Sequence, residues 1–175
     1  TGLDGWTFGD PVDEFTVMAK YGETIFGYKV EYKLSTEGDE KYTEWTASNY
    51  PDKAGAYTIR FTAIADDIGS YENTSVTREI TVSPRPISGA TVNLNKDWET
   101  YTGNNFASSI SANSVKLVVN GVEKTLVEGT DYTVSIPKTI INVGEYTITV
   151  TGKGNYSGTV SETFTVKVRE LYTPS

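Results

Sequence analysis

The feature that most restricts the fold of this chain is that it repeats itself. Residues 53–64 read KAGAYTIRFTAI and residues 142–152 read NVGEYTITVTG, with Gly, Tyr, Thr and Ile in the same order 89 positions apart. Downstream, SYENTSVTREITV (70–82) matches NYSGTVSETFTV (155–166) at an offset of 84 to 85. Upstream, YTEW (42–45) occupies the place of YTVS (132–135). A repeat this long, with small insertions at turns, implies two similar units in tandem. Between them lies SPRPIS (83–88), whose two prolines fix φ and predict an extended, stiff joint. The expected domains are residues 1–83 and 84–175.

Both units read as β structure. Tyr57, Ile59, Phe61 and Ala63 alternate with Thr58, Arg60 and Thr62; Tyr28, Val30, Tyr32 and Leu34 alternate with Lys29, Glu31 and Lys33. In the second unit Tyr146, Ile148 and Val150 form one such row, and Phe164, Val166 and Val168 another. A period of two places the apolar set on a dry face and the polar set on a wet one, as in antiparallel sheets packed in layers. Asn-Gly inside VNGV (119–122) predicts a tight type I′ hairpin, and EGTD (128–131) and EGDE (37–40) predict further turns. The expected class is all-β, as two tandem immunoglobulin-like β-sandwiches. The alternative, a small β-grasp-like α+β module, needs a helix, and only NNFASSISANS (104–114) offers a place for one. Cutting Phe61 or Phe164 to alanine is expected to cost ~3–5 kcal/mol if both are core.

Three residue types are missing: Cys, His and Gln. Without Cys there is no disulfide, thiolate nucleophile or thiolate metal site. Without His the usual general base and zinc ligand are gone. Missing Cys and Gln together exclude an internal thioester, and missing Gln excludes a Thr–Gln ester crosslink. The net charge of −8 argues against nucleic acid and anionic lipid as partners. Residues 1–83 hold 15 acids and 7 bases, so −8, while residues 84–175 hold 8 of each, so zero. No segment approaches the ~20 apolar residues of a membrane span. No signal peptide opens the chain, and its abrupt start and finish read as a monomeric piece of a longer polypeptide.

The segment LVEGTDYTVSIPKTIINVGEYTITVTGKGNYSGTVSETFTV (126–166) closely resembles the repeat modules of large bacterial surface proteins. The cues GWTFGDP (5–11), KYG (20–22), PDKAGAYTI (51–59) and ITVSP (80–84) resemble a sister module. Both are similar to the MBG-type and bacterial immunoglobulin-like repeats of secreted and wall-attached proteins. The resemblance implies an extracellular location at the bacterial surface or wall, and a non-catalytic role as stalk, spacer or part of an adhesin. Its implied partner is another surface protein or a glycan, and it implies no cofactor. SIPKTI (135–140), with Pro137, and Trp98 in NKDWETYTG (95–103) depart from the family pattern.

Candidate sites are few. GKGNYSG (152–158) is glycine-rich, but it leads into a strand rather than a helix and its Lys153 is followed by Gly. It therefore reads as a hairpin connector rather than a phosphate cradle. Asp66, Asp67, Glu72 and Asn73 carry oxygen ligands suited to calcium but match no EF-hand spacing, so no metal is expected. Trp98, Tyr101 and Trp45 are the candidate glycan contacts, because sugars stack on aromatic rings. That makes a carbohydrate-binding or accessory domain the alternative function. Lys29 and Lys33 are candidates for an isopeptide crosslink, although their wet face favours solvated charges. No pairing of carboxylates in the sequence predicts a catalytic cleft.

Overall fold

The computed structural model describes residues 3–12, 15–65 and 72–171. The chain divides into two compact units, Thr1–Pro84 and Arg85–Ser175. It is nearly all β; among the described residues the helical elements are two three-residue 3₁₀ turns, Asp39–Lys41 and Ala107–Ser109. The 104–114 stretch thus holds a single turn and then enters a strand, since Ser and Asn compete for backbone hydrogen bonds and offer no apolar stripe. No helix among the described residues is long and apolar enough to cross a membrane.

The first unit contains β1 (Trp6–Thr7), β2 (Ala19–Tyr21), β3 (Thr24–Leu34), β4 (Thr43–Glu44), β5 (Gly55–Ile64) and β6 (Thr74–Ser83). They join in one sheet of order β1-β6-β5-β3-β2, with β4 also on β3. The long antiparallel ladders are β3–β5 and β5–β6, and β1 pairs parallel with the end of β6. Val30, Tyr57, Ile59, Ile80 and Val82 share one face of this sheet and are buried with Leu3. A layer of aromatic rings covers them. Trp45 packs edge-on against Trp6 (centroids 6.0 Å), Phe15 (5.2 Å) and Tyr32 (6.0 Å), and stacks on Tyr50 (6.4 Å). The Tyr32 hydroxyl donates to Asn49 Oδ1 (2.8 Å) and the Tyr57 hydroxyl to the Lys53 carbonyl (3.0 Å), so these rings bury their bodies and satisfy their polar ends.

The second unit contains β7 (Arg85–Pro86), β8 (Thr91–Leu94), β9 (Trp98–Thr100), β10 (Ala112–Val119), β11 (Val122–Leu126), β12 (Tyr132–Ser135), β13 (Gly144–Gly152), β14 (Tyr156–Ser157) and β15 (Thr159–Lys167). One sheet has order β11-β10-β8 and a second β12-β13-β15-β9, while β7 and β14 form a small parallel pair. Val92, Val115, Leu117 and Leu126 are buried on the first sheet, and Ile148, Val150, Phe164 and Val166 on the second. The chain changes sheets between β8 and β9, as strands at the corner of a two-layer β fold do. The VNGV hairpin forms as expected. Val119 faces Val122, and Asn120 (φ 51°) and Gly121 (φ 80°) both take positive φ. Gly121→Ala should therefore cost about 1–2 kcal/mol, the left-handed penalty of a side chain, read as a lower urea midpoint.

The dry faces differ from the simple alternation in particular places. Phe61 is half-buried at the margin of the core, not inside it. Thr62, expected on the wet face, is only 7% exposed, its hydroxyl 2.8 Å from that of Ser75 on the neighbouring strand. Val168 lies beyond the end of β15 and is exposed. The upstream repeat match also fails structurally. YTVS forms β12 beside β13, but YTEW contributes β4 beside β3, and it is β3 that lies beside β5.

Candidate functional site

The glycine-rich loop after β13 is an internal fastening. The Gly152 amide donates to the Gly158 carbonyl (2.9 Å), Lys153 to Asp131 (2.8 Å) and Tyr156 to Lys153 (3.1 Å). The Lys153 ammonium donates to the Gly129 carbonyl (2.7 Å). From the other side, the Arg85 amide donates to the Asn155 carbonyl and the Ile87 amide to that of Ser157, both at 2.9 Å. A phosphate cradle needs main-chain amides free to face the anion, and these three and the lysine are already committed. The loop ties the β13–β15 hairpin to the 127–131 turn and to the entry strand β7. Tyr156, buried at its centre, has its phenol pushed up by burial and by the nearby Asp131 carboxylate, so it stays neutral.

The three aromatic candidates fall in different surroundings. Trp45 is partly buried among the rings of the first unit and its amide donates to the Val30 carbonyl (2.8 Å), so it packs rather than projects. Trp98 and Tyr101 are in the second unit, 51% and 39% exposed. Trp98 lies on the edge strand β9, opposite Thr165, and the Lys167 ammonium sits 3.8 Å from its ring centroid in a cation–π contact. Trp6 holds the corresponding edge of the first unit but stands opposite Val82 and turns inward. Val82 matches Val166 in the repeat, and Val166 faces Glu99. The tryptophans are therefore one residue out of phase, and a shift of one residue reverses the face a side chain occupies.

Periodicity did not disclose a groove of about 550 Å³ in the first unit. Its floor is the far end of the same sheet face that carries the core: Phe26 and Tyr28 from β3, Phe61 and Ala63 from β5, and Val76 from β6. The segment 15–21 forms a wall. Here the aromatic cover ends, leaving Tyr28 half-exposed and Val76 63% exposed. Lys20, Glu72 and Arg78 are the charged residues along it, and Arg78 is held by Asp4 (2.6 Å).

The opposite face of that sheet is a charge ladder. Glu31 accepts from Lys29 (3.2 Å) and from Arg60 (3.0 Å). Arg60 also stacks 3.7 Å from the centroid of Tyr42. Lys33 pairs with Asp39 (3.2 Å) and donates to the Glu37 carbonyl (2.6 Å). Both isopeptide candidates, Lys29 and Lys33, thus carry ordinary ionic partners. Glu79 accepts from Ser35 (2.5 Å) and Thr58 (2.6 Å). Burial pushes the Glu31 carboxyl up, but hydrogen bonds and charges from Lys29 and Arg60 outweigh it and hold the group below its ordinary value. The two hydroxyl donors lower Glu79 likewise. A carboxyl depressed in the folded state stabilises it above the unfolded pKa, and that stability is lost as pH falls through the folded pKa. Thermal melts should therefore show the first unit losing stability as pH drops below the usual carboxylate range, with a smaller loss in the Glu31→Gln, Glu79→Gln double variant. Of the calcium candidates, Asp66 and Asp67 lie outside the described residues. Asn73 accepts the Ala65 amide (2.7 Å). No cluster of three potential metal ligands occurs among the described residues.

No family model matches the chain, and no curated protein matches its sequence.

Proposed function

We propose that the chain is a pair of MBG-type, immunoglobulin-like modules from a bacterial extracellular protein, acting without catalysis as a spacer or adhesion scaffold. The observation that carries this reading is how the second unit uses its most site-like loop: three of its amides and its lysine are spent on holding the loop to itself and to the 127–131 turn. Two sheets with one buried face each, and a chain that switches sheets between β8 and β9, fit an immunoglobulin-like module. The quoted module motifs and the lack of imidazole and thiol chemistry favour a structural role at the cell surface. Pulling single molecules by their ends tests it. The expected record has two unfolding events, each releasing roughly 3.3–3.6 Å per residue over the 84 and 91 residues of the units. One merged event would overturn the paired-module reading.

Exposed Trp98 and Tyr101 favour carbohydrate binding as the second reading. Polysaccharide titrations followed by tryptophan emission separate the two. Saturable quenching lost in Trp98→Ala supports glycan recognition, and no quenching supports the scaffold.

A further inference from the structure

We propose that the first unit binds an extended, basic polypeptide strand, which adds to the open edge of β6 and sets alternate apolar side chains into the adjoining groove. This goes beyond the scaffold reading and does not depend on it. The Ser83 carbonyl accepts the Phe8 amide (2.8 Å), so Ser83 directs its main-chain groups away from β5. Residues two apart along a strand point the same way, which sends the N–H and C=O of Ser75 and Thr77 to the same outer edge. β1 pairs with β6 only at Val82 and Ser83. Gly5 reaches one step further, pressed so closely on the Thr81 carbonyl that no side chain would fit there. Ser75 and Thr77 have no strand beyond them among the described residues.

Two features meet at that edge. Unpaired main-chain groups recruit another extended backbone, whatever its sequence. Between Ser75 and Thr77 lies Val76, on the groove side and 63% exposed, next to an apolar floor shared by Phe61 and Tyr28. A strand laid there continues the pleat, so every second side chain falls on the groove side. Charge selects among such strands. The first unit carries −8 overall, Arg78 is neutralised by Asp4, and the other two charges along the groove, Glu72 and Lys20, offset one another, so the net charge of the unit sets the field. This field attracts a cationic partner and repels an acidic one.

The test uses the whole chain and three synthetic peptides: KVKVKVK, its rearrangement KKVVVKK, and EVEVEVE. Residue-resolved amide exchange is the readout. KVKVKVK should slow the Ser75 and Thr77 amides by about tenfold or more while leaving Val76 and Arg78, already bonded to β5, little changed. Equal protection by KKVVVKK would overturn the alternating-strand geometry, and equal protection by EVEVEVE would overturn the charge argument. No added protection at Ser75 and Thr77 would overturn the proposal outright. Val76→Lys, at an exposed position, should weaken KVKVKVK binding by more than about tenfold with the Ile59 amide still protected. Undiminished binding in that variant would also sink it.

Discussion

Phe164→Ala should destabilise the second unit by ~3–5 kcal/mol, the range for emptying the space of a buried aromatic. Phe164 is fully buried between Thr163 and Thr165 on β15, pairs across the ladder with Tyr146 on β13, and meets Phe106 at 6.3 Å between centroids. The rings around it are anchored elsewhere and cannot collapse freely into the void. Phe106 donates its amide to Ile140 (2.9 Å), and the Tyr146 hydroxyl is held by the Asn142 carbonyl (2.8 Å). For a domain of this size each kcal/mol lowers the midpoint by roughly 4–8 °C, so scanning calorimetry should show a large drop in one transition. Phe61→Ala in the first unit should cost distinctly less, because that ring is half-buried at the groove. Equal losses for the two would contradict the assigned burial.

The second large effect is expected at Gly152. A methyl group there would stand 2.6 Å from the Ser157 amide nitrogen and 2.9 Å from the Ser157 Cα. The obstacle is main chain, which cannot rotate away as a flexible side chain can. Gly152→Ala must therefore push β14 off the end of β13, loosening the bonds that seat Arg85 and Ile87. Overpacking of this kind costs ~1–3 kcal/mol, measured as a lower denaturant midpoint. Faster exchange at the Arg85 and Ile87 amides should accompany it, whereas the β10–β11 hairpin should keep its protection. Gly89→Ala, where nothing lies within 4 Å of the added carbon, is the control that should leave stability nearly unchanged.

These residues also mark how far the fold is legible in the sequence alone. Alternation identified the buried rows of β13 and β15, and Asn120-Gly121 identified a hairpin, because side-chain period and positive φ are local properties. Alternation names a face but not what covers it. The core end of the first sheet is roofed by Trp45 and Phe15 from irregular segments and by Trp6 from the two-residue β1, whose spacing has no period, so neither the roof nor the groove beyond it could be read from pattern. The burial of Thr62 depends on a hydroxyl partner 13 residues away, and the placement of YTEW depends on which strand lies next to β5. Trp98 and Trp45 are both candidate glycan contacts by residue type. Their separation into a half-exposed ring and one packed among other rings follows from tertiary neighbours alone.

The one-residue offset between the edge tryptophans has an experimental consequence. The chain has three indoles, two partly buried against the core of the first unit and one half-exposed in the second unit beside a lysine. Denaturation should red-shift the first pair more than the third. Intrinsic emission thus reports chiefly on the N-terminal half, and a Trp98→Phe chain would report on it alone.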